Sequence, residues 1–209
     1  MNAEEQRGAV RRDYSAYVIK GGEGAGNLSK HAASWGYDTP FLESLGVHLA
    51  GGVADLFATA CGGGCPLRLP GAPRWGEAVV DLGCGAGHDA VLASRLVGPR
   101  GRVLGVDLTP AMLERAQANV ARFNGAGGAG GPPCAPVSFA LGAFDDGNAL
   151  RGVAPARAFD VCVSNGVFNL CSDKAAAFAA AFRMLRPGGR LVLCDVCAVP
   201  PAAAPPVAA

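Results

Sequence analysis

From residue 78 onward, continuous apolar runs alternate with stretches of helical spacing, and that alternation admits few folds. VVDLG (79–83), RVLGVDL (102–108), VSFALGA (137–143), FDVCVSN (159–165) and RLVLCDV (190–196) read as five buried strands. Between them, HDAVLASRLVG (88–98) has helical spacing and a glycine stop. TPAMLERAQANVARF (109–123) is a helix, with Thr109 at the N-cap, Pro110 at its first position, and Met112, Leu113, Ala116 and Val120 as its inner stripe. SDKAAAFAAAFRMLRPGG (172–189) is a third helix, capped by Ser172 or Asp173 and stopped by Pro-Gly-Gly. Strands without polar alternation are covered on both faces, and parallel neighbours need a crossover helix between them. The expected fold class is therefore α/β: an open, doubly wound, mostly parallel sheet. Residues 78–199 form that core, and residues 1–77 read as helices and loops capping its ligand edge. PPAAAPPVAA (200–209) is a low-complexity tail expected to be disordered, and GAGGAGGPPCAP (125–136) reads as a surface loop.

The chain has 209 residues, enough for one ordinary domain. A formal net charge of +1 gives no electrostatic case for nucleic acid or an anionic membrane. No apolar run approaches the ~20 residues that span a bilayer, and MNAEEQRGAVRRDY has no apolar core for a secretory signal. The expected location is the cytoplasm, where the eight cysteines remain mostly thiols.

In a sheet of this kind the ligand lies beyond the carboxyl ends of the strands. The first strand runs into DLGCGAGHD (81–89), where Gly83, Gly85 and Gly87 follow Asp81. Glycines let the backbone turn sharply and bring a ligand close to peptide groups and the next helix's N-terminus. The dinucleotide fingerprint wants a further glycine where this chain has His88. The second strand ends in Asp107, whose carboxylate can accept both hydroxyls of a ribose. Together these features point to a nucleoside-bearing ligand.

VVDLGCGAGHDA followed by VLGVDLTPAML resembles the class I S-adenosylmethionine-dependent methyltransferases. Within them the chain is similar to arsenite methyltransferases, through DYSAYVIK (13–20), ACGGGCPL (60–67), residues 81–113 and residues 164–196. The resemblance implies a Rossmann-like core that binds S-adenosyl-L-methionine as methyl donor. It implies cofactor contacts from Asp81, Gly83, Cys84, Gly85 and Gly87, from Asp107 and Leu108, from Phe144 and Asp145 at the adenine, and from Asn165 on the substrate side. It also implies a thiol reductant such as thioredoxin or glutathione.

Cys61 and Cys65 would need two more ligands to hold zinc. Cys194 and Cys197 lie on or just past a strand, where side chains three apart face opposite sides, so no structural metal is expected. His31, His48 and His88 show no metal-ligand spacing. Trivalent arsenic, a soft substrate, prefers thiolates, and Cys61 aligns with the family's cysteine in this loop. The family has a second cysteine where this chain has Gly166, and another downstream of where this chain ends. Cys171 is the nearest compensating thiol and the second catalytic candidate beside Cys61. Cys84 and Cys162 read as packed small residues. The expectation is methyl transfer to arsenite held by thiolates. The rivals are a methyltransferase for another small acceptor and a truncated, inactive cofactor-binding paralogue. This fold normally adds two strands after the fifth, so residues 190–196 are expected at an edge that needs shielding.

Overall fold

The computed structural model describes residues 2–19, 33–47, 64–124, 133–146, 150 and 154–198. Cys61, His31, His48, most of the loop at 125–136 and the tail at 200–209 lie outside these described residues. Helix α1 (Ala3–Ile19) and the short α2 (Thr39–Ser44) come first, followed by a 3-10 turn at Pro66–Arg68. The core then runs β1 (Ala78–Leu82), α3 (His88–Val97), β2 (Arg102–Asp107), α4 (Pro110–Asn124) and β3 (Val137–Leu141). It continues with β4 (Phe159–Asn165), a 3-10 turn at Phe168–Leu170, α5 (Lys174–Met184) and β5 (Leu185–Cys194).

All four strand pairings are parallel, in the order β3-β2-β1-β4-β5. The chain therefore starts in the middle of the sheet and winds outward in both directions. β1 is buried at every position and β4 at all but its last, as expected for strands covered on both faces. Successive side chains divide between two cores. Val79, Val161 and Val163 face α3 together with Tyr37, Leu42 and Leu67, and Val80, Leu82 and Cys162 face α5 with Phe168 and Met184. Burying each such side chain is worth about 1.5–3 kcal/mol.

Local chemistry sets most boundaries. α3 begins at Gly87 and ends at Gly98, both at positive φ (80° and 63°) that glycine adopts freely. Thr109 precedes α4, where its carbonyl accepts from Met112 N (3.1 Å) and Leu113 N (3.3 Å), and its side chain also bonds Asp107. β3 stops at Leu141, two residues before the expected end, where Gly142 turns back to donate to the Asp107 carbonyl (2.9 Å). Asp173 caps α5, accepting from Ala176 N (2.9 Å).

The end of α5 corrects the sequence expectation. A helix stopped by the Pro-Gly-Gly at 187–189 and a strand over 190–196 were expected, but the chain leaves the helix at Met184 and is already extended at Leu185. The amides of Arg157 and Ala158 capture the carbonyls of Arg183 and Met184. Pro187 disfavours helix at the residue before it. Residues 186–189 form an irregularity in the ladder between the Phe159↔Leu185 and Val161↔Arg190 pairings.

β5 is the sheet edge, and residues 64–77 cover one of its faces. Arg190 donates to the Gly71 and Ala72 carbonyls (2.6 and 2.8 Å) and pairs with Glu77 at 2.7 Å. Gly71 packs on Val192 and Gly64 on Cys194. These contacts cover a face of β5, while its outer backbone edge pairs with no further strand among the described residues.

Candidate functional site

The carboxyl ends of the strands surround a recess of about 600 Å³. Its floor is the loop between β1 and α3. Gly83, Gly85 and Gly87 all have positive φ (73°, 51° and 80°). A Cβ on Gly83 would stand 2.5 Å from Val167, whereas one on Gly85 would meet nothing within 4 Å. The backbone at Gly85 thus faces open space within the recess wall. The loop is pinned from β2: Gly83 N and Cys84 N donate to the Val106 carbonyl, and Gly85 N donates to Asp107 Oδ2 (2.9 Å). Asp107 Oδ1 accepts from Thr109 N (2.8 Å). Burial raises the Asp107 pKa, and the donors from Thr109 and Gly85 offset only part of that rise. No cation balances the carboxylate among the described residues, which suits hydroxyl donors.

Of the ten residues expected at the cofactor, seven line the recess, and Asp81, Asp145 and Gly87, the last at the N-cap of α3, do not. Gly83, Cys84, Gly85, Asp107, Leu108, Phe144 and Asn165 all line the recess. Asp81 lies beneath it, 2% exposed, and its Oδ2 has no hydrogen-bond partner. Burial and the nearby Asp89 carboxylate push its pKa well above the usual carboxylate range. Asp145 opens instead on a smaller annex of about 330 Å³ shared with Phe144, Leu108, Arg7 and Cys171. Asp145 Oδ2 already accepts from Ser172 N and Oγ (2.9 and 2.7 Å). Cys171 is buried there, its Sγ 3.6 Å from the Val167 carbonyl. Burial and Asp145 push the Cys171 thiol up to about 12.

Sequence reasoning missed a buried polar hub on the opposite wall. Asn165 Nδ2 donates to Tyr37 Oη (2.8 Å), the Gly64 carbonyl (2.8 Å) and Asp89 Oδ2 (3.2 Å). Tyr37 Oη donates to Asp89 Oδ1 at 2.6 Å, and His88 Nε2 lies 3.3 Å from Asp89 Oδ2. The hub ties the turns at Gly36 and Gly64 to the end of β4. Cys65 lies beside it, and burial and Asp89 push its thiol up to about 12. The one available signal was Asp89, an acid two residues past the last loop glycine. Among the described residues no cluster of three or more potential ligands could hold a metal ion.

His88 gives the hub a pH dependence. Burial lowers its pKa, but the Asp89 and Asp81 carboxylates outweigh that and hold it above the ordinary value. Burial likewise pushes Asp89 up, and His88 with the Tyr37 and Asn165 donors brings it below. A raised folded-state pKa on His88 contributes stability that is complete below the unfolded value near ~6.5 and is lost as pH rises through the folded value. The melting temperature should therefore fall as pH rises above the ordinary histidine value of ~6.5, and fall less in His88→Asn. Equal slopes for the two proteins in a pH series of thermal melts would exclude His88 as the source.

The comparisons fit this geometry. A model of the methyltransferase domain family matches residues 74–205. An arsenite methyltransferase of Halobacterium salinarum is 34% identical over 202 residues, covering 92% of this chain and 48% of that protein. One from Aquipseudomonas alcaligenes is 40% identical over 137 residues, covering 64% and 36%. Among solved structures, an arsenic(III) S-adenosylmethionine methyltransferase from Chlamydomonas reinhardtii is similar at TM-score 0.57 and 32% identity, covering 73% of this chain and 47% of that one. The chain spans about half or less of the length of these relatives. No helix among the described residues is long and apolar enough to cross a membrane. The family model takes in all five strands and the glycine loop, and with the parallel sheet and the recess at its carboxyl edge the chain belongs to the methyltransferase domain family and has its Rossmann-like class I fold.

Proposed function

We propose that this chain moves a methyl group from S-adenosyl-L-methionine to trivalent arsenic held by thiolates, of which Cys61 is the first. One observation carries the arsenic part of the reading. Gly64, three residues after Cys61, is fastened to Asn165 at the recess wall. Cys61 itself lies outside the described residues, and three residues of chain, which span at most about 10 Å, separate it from that anchor. The arsenite methyltransferases at 34% and 40% identity support the same reading.

The residues fit the donor. The unpartnered Asp81 Oδ2 suits the cationic amino group of the methionine part. Asp107 would take the ribose hydroxyls, and Leu108 and Phe144 would flank the adenine. The open face of Gly85 admits a ligand against the backbone. When bound, S-adenosyl-L-methionine supplies an electrophilic methyl group on a sulfonium. The chain's part is to hold the acceptor in line and exclude water.

The acceptor chemistry sets a demand on the thiols. Each arsenic–oxygen bond to hydroxide is replaced by an arsenic–sulfur bond, and the thiol proton leaves with the hydroxide as water. The exchange is proton-neutral, so a protonated thiol can take part. Cys171 sits in the annex with the expected adenine contacts, and Cys65 is packed at the hub. We therefore assign the remaining arsenic ligand to an external thiol such as glutathione or a thioredoxin dithiol, which also serves as reductant. This chemistry belongs in a reducing compartment such as the cytoplasm. The second reading, methyl transfer to another small acceptor, rests on Gly166, which places no thiol after β4. Purified protein incubated with S-adenosyl-L-methionine, glutathione and arsenite should yield methylated arsenic on speciation. Its absence, with donor binding intact, sinks the arsenic reading and favours the second.

A further inference from the structure

We propose that helix α1 is the lid of the cofactor recess and that Arg7 is the positioning residue that latches it. Val10 and Tyr14 of α1 line the main recess, opposite the glycine loop, and Val10 and Arg7 line the annex. One helix therefore roofs both compartments. Of the α1 residues whose side chains are described, none is fully buried, and those that touch the molecule are half-buried. The helix averages polar and is only weakly amphipathic. Over the side chains described, residues 3–16, its hold on the domain is thus slight, and weakly buried elements open at low free-energy cost.

The ties across the recess are polar. Gln6 Nε2 donates to the Leu170 carbonyl at 3.0 Å. Arg7 Nη1 stands 3.7 Å from Asp145 Oδ1 and 3.5 Å from Ser172 Oγ. A closed guanidinium–carboxylate pair is shorter, about 2.7–2.9 Å, so Arg7 is within reach of its partner without being fully seated. Asp145 is itself steered by Ser172, whose amide and hydroxyl occupy Oδ2 and leave Oδ1 toward Arg7. The far rim of the annex is thus prepared to receive a cation from α1.

A nucleoside-bearing ligand in the recess would lie between Gly85 and the Val10–Tyr14 face. Covering its apolar surface would give α1 the burial it lacks, and seating Arg7 would close the annex behind it. Arg7 acts through the lid rather than on the reacting atoms. It should slow cofactor release with little effect on the global fold, since its side chain is on the rim of the structure.

The test uses S-adenosylhomocysteine as the probe, with wild type, Arg7→Ala, Arg7→Lys and Val10→Asp. In stopped-flow displacement, Arg7→Ala should raise the dissociation rate about five- to tenfold, a loss typical of one charge-assisted contact. Arg7→Lys should recover part of this, and Val10→Asp should raise the rate by a separate route. Hydrogen exchange at residues 6–16 should slow on adding S-adenosylhomocysteine to wild type, and slow less in Arg7→Ala, at unchanged melting temperature of the free protein. Dissociation from Arg7→Ala and Val10→Asp at the wild-type rate overturns the lid. So does exchange in α1 that the ligand leaves unchanged.

Discussion

Asp107→Ala should weaken S-adenosylhomocysteine binding by about a hundredfold or more. Two ribose hydroxyls donating to one carboxylate are charge-assisted bonds, each worth about 1.5–3 kcal/mol. The carboxylate has a second task that adds to the loss. Its oxygens hold Gly85 N and Thr109 N, and so shape both the glycine loop and the start of α4. Removing it leaves those two buried donors to find water. An opposing effect limits the cost to the fold itself: burial already raises the Asp107 pKa, so the charge is held at some expense. Affinity should therefore fall far more than stability. Asp107→Asn keeps the shape and one acceptor and should lie between the two. Titration calorimetry measures the affinities and thermal melts the stability. Unchanged affinity in Asp107→Ala would place the nucleoside elsewhere, and tight binding of NADH by wild type would overturn the class.

The legibility of the sequence differs from one part of the molecule to another for physical reasons. β1, β2 and β4 were readable because the middle of each is a short run of apolar, mostly β-branched residues (Val79–Val80, Val103–Leu104, Val161–Val163) bounded by glycine or turn residues. The loop after β1 was readable because three positive φ values in five residues demand glycine. The end of α5 misled because Ala, Phe, Met and Leu favour helix up to Leu185, while tertiary bonds from Arg157 and Ala158 take the carbonyls that would continue it. The contacts Asp145 makes in the fold were not legible. Its bonds to Ser172 cross 27 residues, and α1 reaches it only through the folded chain. The hub was illegible for the same reason. Tyr37 meets Asp89 across 52 residues and Asn165 across 128, and no periodicity marks a tyrosine in a turn. Side chains that answer to a strand's own period can be read along the chain. Those that answer to a contact between distant loops cannot.

Cys61→Ser should abolish arsenite methylation while leaving S-adenosylhomocysteine affinity within about twofold, less than a single hydrogen bond is worth. Serine keeps the size and polarity of the side chain but offers a hard oxygen that a soft ion does not favour. The second half of the experiment is Gly166→Cys, which adds a thiol where the resemblance to arsenite methyltransferases implies one. Gly166 has φ of 66°, and its amide donates to the Cys194 carbonyl at 2.8 Å, so the left-handed turn is built into the junction between β4 and the recess. A side chain there costs about 1–2 kcal/mol in backbone strain. The variant should therefore melt lower than wild type, and any gain in arsenite affinity must exceed that penalty to be seen as improved turnover at a given temperature. Measuring affinity directly, by arsenite titration of the thiols at low temperature, separates the two. Tighter arsenite binding in Gly166→Cys with a lower melting point supports a thiolate site centred on Cys61. If Cys61→Ser methylates arsenite like wild type and Gly166→Cys binds it no better, thiolate-held arsenic is the wrong chemistry, and the acceptor is a different small molecule approaching the same recess.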